Sequence, residues 1–227
     1  MRRAILMALV LLILLQLHVL LMGVHAQTSK PSLKINWVQY SNPTPHGDLA
    51  CGVCVYGDYV YVVGGDGYVN PRIEMRRKSD GSLIKSWSSN MYYGDLYECL
   101  VINNILIVLG TYEFYLFDTS LNLKEIIPRY NESLERISSP RSFLFDGGYI
   151  YTVDTVFTTE NDSAWLVSVF DVENLSKPLK TTLINPTHYD DIAIRIGLNP
   201  VTNHLWIVGS TDIGEKLLSI QRLESRY

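Results

Sequence analysis

Cysteine is scarce in this chain: three among 227 residues, at Cys51, Cys54 and Cys99. "CGVC" has no second CxxC to partner it, so a four-ligand zinc site lacks half its donors. The pair also lies in a strand-like stretch, where residues three apart point to opposite faces and do not converge on one ion. Two readings remain: small buried hydrophobes, or a disulfide between Cys99 and one of the others, with one thiol left over. Basic clusters are missing too. Beyond Arg76-Arg77-Lys78 no run of Lys or Arg stands out, which argues against a nucleic-acid partner. There is no nucleophile elbow and no zinc-ligand motif. "GGDG" at Gly64–Gly67 is followed neither by GK[ST] nor by a helical pattern, so it is not a phosphate loop.

Long uncharged runs are confined to the start. Arg2 and Arg3 precede an apolar run from Ala4 to about Gly23, and Val24-His25-Ala26 stands before Gln27. A basic start, a greasy middle and small residues before a cut are the marks of a secretory signal. The run is close to the ~20 residues that span a bilayer, so residues 1–26 read as a signal peptide or an uncleaved signal anchor. Either one puts residues 27–227 outside the cytoplasm, secreted or at the cell surface, touching a membrane only through the N-terminal segment. The first 26 residues hold two of the nineteen Lys+Arg and none of the twenty-three Asp+Glu, which leaves the rest at a net −6. That length suits one domain with one sizeable core.

What fills residues 27–227 is a repeat. Four segments read alike: "DLACGVCVYGDYVYVVGG" from Asp48, "DLYECLVINNILIVLG" from Asp95, "SPRSFLFDGGYIYTVDT" from Ser139 and "DIAIRIGLNPVTNHLWIVGS" from Asp191. Each is an apolar run, a turn and a second run. Gly57-Asp58, Asn103-Asn104 and Gly147-Gly148 are tight hairpin turns, because these residues tolerate φ > 0; Asn199–Asn203 makes a longer one. Tyr61, Ile107, Tyr151 and Trp206 take equivalent places, spaced 46, 44 and 55 apart. A third strand follows each hairpin, at residues 72–77, 113–117, 165–170 and 217–223. A turn and a fourth strand follow three of them, as "LIKSW", "LKEII" and "KTTLI". Units of four strands at this period match β-propeller blades. The inner runs, such as "VYVVG" and "ILIVLG", are apolar at nearly every position, as suits strands covered on both faces.

The fourth unit stops before its fourth strand, and "LKINW" at residues 33–37 resembles "LIKSW" at 83–87. The expectation is an all-β propeller of four blades, closed by its N-terminal strand, with a partial or open propeller as the alternative. The chain resembles secreted β-propellers with kelch-like or YVTN-like repeats. "YVYVVGGDG…IEMRRKSDGSLIKSW" is kelch-like, with Gly64-Gly65 after the second strand and Trp87 in the fourth. Blades two and four keep one glycine, Gly110 and Gly209, and blade three has Asp154 nearby; "LNPVTNHLWIVG" is YVTN-like. The resemblance implies binding and lends no catalytic residue.

The starts of the inner strands face the central channel and read "HGDL", "YGDL", "SPRS" and "YDDI". Asp48, Asp95 and Asp191 are taken as equivalent, with Ser138 in their place in blade three. Short acids at loop-to-strand junctions commonly fix a repeated turn, which is the first reading of these three; the sharper one is a ring of oxygen donors as candidate ligands for Ca²⁺. His46, His188 and Arg141 stand close by in the sequence. Tyr92, Tyr93 and Tyr189 fall in connections on the same face and offer flat rings with a hydroxyl, suited to an extracellular glycan or protein. The function expected is an extracellular or cell-surface binding module. One alternative is a metal-dependent secreted hydrolase or lyase, with His46 or His188 as base. The other is a structural part of a surface assembly. Asn131, Asn161 and Asn174 begin N-glycosylation sequons, all in expected connections.

Overall fold

The computed structural model describes residues 34–67, 70–89, 94–129, 137–159, 162–185, 190–212 and 216–224. Contacts gather Trp37–Tyr227 into one compact unit, separate from Met1–Asn36. Blade one is the meander β1 (Leu49–Tyr56), β2 (Tyr59–Asp66), β3 (Asn70–Arg77) and β4 (Leu83–Ser88). Blade two repeats it with β5 (Leu96–Ile102), β6 (Ile105–Gly110), β7 (Glu113–Asp118) and β8 (Leu123–Pro128). Blade three follows with β9 (Ile137–Asp146), β10 (Tyr149–Thr159), β11 (Asp162–Asp171) and β12 (Lys180–Ile184). Blade four has three strands among the described residues, β13 (Asp191–Asn199), β14 (His204–Asp212) and β15 (Lys216–Glu224). Every neighbouring pair is antiparallel. The hairpin turns are where the sequence puts them. Asn103 and Asn104 both have positive φ, 49° and 63°, as do Gly147 and Gly148, the signature of a turn whose twist matches that of its strands.

Alternate residues of each strand face opposite neighbours, and this stacks the blades. Tyr61, Ile73 and Met75 of blade one pack on Leu96, Val108 and Phe117 of blade two. The Trp87 ring meets Phe117 edge-on, with centroids 5.0 Å apart. Ile107, Leu109 and Phe114 of blade two pack on Phe143, Ile150 and Phe170 of blade three, and Phe114 and Phe170 are perpendicular at 5.1 Å. Tyr151, Val153 and Trp165 of blade three pack on Ala193 and Ile207 of blade four. The continuous apolar character of β6 and β10 follows from this double coverage, since blades two and three each lie between two others.

The ring is open. No hydrophobic cluster joins blade four to blade one among the described residues. The faces that would meet there leave Val53 62% and Trp206 40% exposed. The expected closure by the N-terminal strand is not what the chain does. Residues 34–40 have no strand conformation, and β15 pairs with β14 alone among the described residues. The reason lies in blade one. The Trp37 indole N–H donates to the Lys78 carbonyl at 2.9 Å and Gln39 Nε2 donates to the Asp80 carbonyl at 3.2 Å. Ser41 Oγ donates to Glu74 Oε1 at 2.5 Å. Gly81, at φ +71°, lies so close beneath the indole that a Cβ there would stand 2.5 Å from Trp37 Cε3. The segment from Trp37 is thereby strapped to blade one's own β3–β4 turn.

Cys54 of β1 and Cys99 of β5 form a disulfide, with Cα atoms 5.7 Å apart, and Cys51 is free. Of the two sequence readings, the bridged one holds. Among the described residues no helix is long and apolar enough to cross a membrane.

Candidate functional site

The pairing register holds a feature that apolar periodicity hides. In β1, Ala50 pairs with Gly64 and Gly52 with Val63, which leaves Cys51 as an extra residue. In β5, Tyr97 is skipped between Leu96 and Glu98. In β9, Arg141 is skipped between Pro140 and Ser142. In β13, Ile194 is skipped between Ala193 and Arg195. Each blade therefore carries a β-bulge at the same place in its innermost strand, and β9 has a second shift between Ser139 and Ile137. A bulge leaves its extra residue out of the ladder and re-aims the side chain. The Cys51 thiol, the Tyr97 phenol and the Arg141 guanidinium come within electrostatic reach of one another and of Asp95.

This fourfold register corrects the expected equivalence of the acids. The bulge lies three residues after Asp48 and after Asp191 but only two after Asp95. Asp48 thus corresponds to Gly94, and Asp95 to Leu49. Neither do the three carboxylates gather: among the described residues, no three of His, Cys, Asp and Glu are placed to hold a metal ion. Asp48 Oδ1 accepts from Thr44 Oγ1 at 2.9 Å and from the Gly67 N–H at 3.2 Å. Asp191 is buried, and its backbone N–H donates to Ser163 Oγ at 2.9 Å. Asp95 rests against Gly65, where a Cβ would stand 2.2 Å from its Oδ1. That approach accounts for the second glycine of the kelch-like pair. The first, Gly64, leaves room for the Leu49 carbonyl, 1.8 Å from a Cβ built there. The Gly64 position is Gly110 in blade two, Asp154 in blade three and Gly209 in blade four.

Below the bulges runs a cavity of about 490 Å³, lined from all four blades by Cys51 and Gly52, Glu98, Ser142 and Phe143, and Arg195. Glu98 crosses it. Its Oε1 accepts from Arg195 Nη1 of blade four at 2.9 Å, and its Oε2 accepts from the Phe143 N–H of blade three at 2.8 Å. Gly52 is required opposite: a Cβ would lie 2.6 Å from the Tyr97 carbonyl.

Burial sets the protonation of the mouth. It pushes the Asp95 carboxyl above its ordinary value. Burial also raises the Cys51 thiol, with Asp95 adding to the rise and Arg141 opposing it. Tyr97 is likewise raised, chiefly by burial. At neutral pH the mouth thus offers a thiol and a phenol as neutral donors and an exposed Arg141 as a fixed cation. Sequence reasoning found Arg141 and Asp95 here but missed Cys51, Tyr97, Glu98 and Arg195. Of the other expected residues, His46 is exposed beside Thr44. Tyr92, Tyr93, His188, Tyr189, Asn131, Asn161 and the N-terminal signal lie outside the described residues. Asn174 is exposed in the β11–β12 connection, where its Oδ1 accepts from Ser176 Oγ at 2.7 Å.

No protein-family model matches the chain, and no curated protein sequence matches it. Among solved structures it is similar to a subtype N10 neuraminidase-like protein of A/little yellow-shouldered bat/Guatemala, at 14% identity over 74% of this chain and 62% of that one, with a TM-score of 0.47. It is also similar to BamB from Moraxella catarrhalis, at 10% identity over 78% of this chain and 59% of that one, with a TM-score of 0.41. A third likeness is to the WD40 β-propeller domain of Doa1, at 10% identity over 76% of this chain and 67% of that one, with a TM-score of 0.38. The chain spans less than two thirds of the first two. Its own four meanders, bulged alike and stacked in chain order, carry the propeller assignment.

Proposed function

We propose that the chain is an extracellular interaction module that receives an acidic group of its ligand at the channel mouth. The observation that carries this reading is the set of four register-equivalent bulges. Each blade has a bulge at the same place in its inner strand, and the bulges bring Arg141, Tyr97 and Cys51 within electrostatic reach of one another beside the cavity that Cys51 lines. A packing accident has no reason to recur four times in register. The chemistry fits an anion: a guanidinium binds carboxylate in a fork, and a phenol held neutral donates a further hydrogen bond. Asp95 and the Glu98–Arg195 pair balance the charge of the site, so that the ligand is selected by placement as well as by sign.

Two features support placement outside the cytoplasm. A disulfide between Cys54 and Cys99 suits an oxidising compartment. The Asn174 sequon is exposed on a connection, where an attached glycan is accommodated. The test applies the full-length secreted protein to arrayed acidic glycans and acidic peptides, beside Arg141→Ala. Binding to an acidic subset is expected, weakened roughly tenfold or more in the variant for loss of a charge-assisted contact. The thermal melt should be unchanged, because Arg141 is exposed. Equal binding by both proteins would remove the mouth from consideration.

A further inference from the structure

The joints between blades bury one set of positions, and the two end faces leave that same set open. Val53, Cys99, Phe143 and Ile196 each stand three residues before the end of their innermost strand. They pair with Val62, Val108, Thr152 and Ile207. Cys99 packs toward blade one, Phe143 toward blade two and Ile196 toward blade three. All three are buried, Ile196 the least at 8% exposed, whereas Val53, with no blade before it, is 62% exposed. Val62 is half-buried where Val108, Thr152 and Ile207 are buried.

The opposite faces repeat this in reverse. Tyr61, Ile107 and Tyr151 are the third residues of β2, β6 and β10, and they pack toward blades two, three and four. None is more than 4% exposed. Trp206, the third residue of β14, has no blade after it and is 40% exposed. Val208, two residues along the same face, is half-buried where Val63, Leu109 and Val153 are buried.

Blade one and blade four thus carry the two halves of one joint, and apolar surface of this kind marks a contact. The chain does not bring the halves together itself. Its three joints are packed, the first is crosslinked by Cys54–Cys99, and Glu98 ties blade two to blades three and four, which leaves little slack for closure. The outer part of blade one's open face is already taken. Glu74 and Arg76 stand there in place of Tyr115 and Phe117 of blade two, and Ser41 of the strap bonds Glu74. What stays open is the inner, apolar part formed by β1 and β2.

We propose that copies of this chain join head to tail, blade four of one on blade one of the next, through the joint that stacks blades within the chain. Trp206 and Val208 of one copy cover Val53 and Val62 of the next, as Tyr61 and Val63 cover Cys99 and Val108 inside the chain. A second copy is the fitting occupant because it carries both halves in the register that the internal joints use. Such a contact closes into a ring or extends as a chain.

The test measures the mass of the full-length secreted protein by sedimentation up to about 100 μM, above the micromolar to picomolar range of standard interfaces. Mass should rise above that of one chain as concentration increases. Val53→Arg and Trp206→Glu, both at exposed positions, should each hold the protein at the mass of one chain with an unchanged far-ultraviolet spectrum. Mixed in equal amounts, the two variants should return to twice that mass, because each keeps the half that the other lacks. Val55→Arg and Trp206→Gln stand in for a variant that fails to fold. A protein that keeps the mass of one chain at every concentration overturns the proposal. Association that survives either variant alone overturns it too, since it would need only one of the two faces. A mixture that stays at the mass of one chain overturns the head-to-tail joint.

Discussion

Arg129 and Asp154 are the most deeply buried ion pair among the described residues, and replacing Asp154 is the sharpest test of how the blades are held. Arg129 follows β8 in blade two and Asp154 lies in β10 of blade three; the side chains meet at 2.5 Å with 0% exposure on either side. Thr152 Oγ1 donates to the second carboxylate oxygen at 3.2 Å. The Arg129 guanidinium lies 5.5 Å from the centre of the Phe114 ring. Asp154→Asn keeps the shape and removes the carboxylate charge that Arg129 Nη2 meets, while the Gly110 carbonyl stays 3.4 Å from Nη1. Removing one partner of a buried pair destabilises by about 3–5 kcal/mol. Asparagine keeps one acceptor for Arg129, so the lower end, about 3 kcal/mol, is expected. For a domain of this size that lowers Tm by roughly 6–12 °C. The assay is urea and thermal unfolding followed by intrinsic fluorescence. Arg129→Met combined with Asp154→Leu should recover much of the loss, because apolar replacements of both partners remove the buried charge imbalance. A loss below about 1 kcal/mol in Asp154→Asn, or a double variant as unstable as the sum of the singles, would refute the reasoning.

Reduction of Cys54–Cys99, which spans 45 residues, should destabilise the fold by about 3–4 kcal/mol through released chain entropy; an unchanged melt in reductant would contradict the pairing. Asp95 has a raised folded pKa, so its contribution favours folding at low pH and fades as pH rises through that value. Asp95→Asn should therefore be more stable than wild type at neutral pH, and the advantage should vanish below about pH 4; melts across pH 3 to 7 decide it. Expression in a eukaryotic secretory host should give a product whose gel mobility shifts on deglycosylation, with a smaller shift for Asn174→Gln. An identical shift for that variant would mean the site is unused.

The blades were legible in the sequence because turn chemistry is local. Asn103-Asn104 and Gly147-Gly148 announce hairpins by the backbone they tolerate, and strands on either side follow. The bulges were not legible. The bulge-bearing strands β1, β5, β9 and β13 mix apolar and polar residues without a clean alternation, so one extra residue does not stand out, and Asp95 was counted one place out of step. The strap was missed for another reason. Likeness of "LKINW" to "LIKSW" says which kind of strand a segment resembles, but partners decide which sheet it joins. For Trp37 those partners are Lys78 and Gly81 in blade one. Asp154 shows the same limit from the other side: it stands where three blades have glycine, and only its distant partner Arg129 explains it.

A hoop braces itself, since every segment is pressed by two neighbours; an arc must be riveted. Each joint of this arc carries such a rivet. Cys54–Cys99 fastens blade one to two, Arg129–Asp154 fastens two to three, the Asp191 N–H on Ser163 Oγ fastens four to three, and Glu98 reaches across from two to both three and four. The last of these is the most exposed and the only one that spans the hollow. In high salt the tie across the hollow weakens first, and blade four is then held only along its side against blade three, by the apolar contacts of Trp165 with Ala193 and Ile207 and by the Ser163 bond.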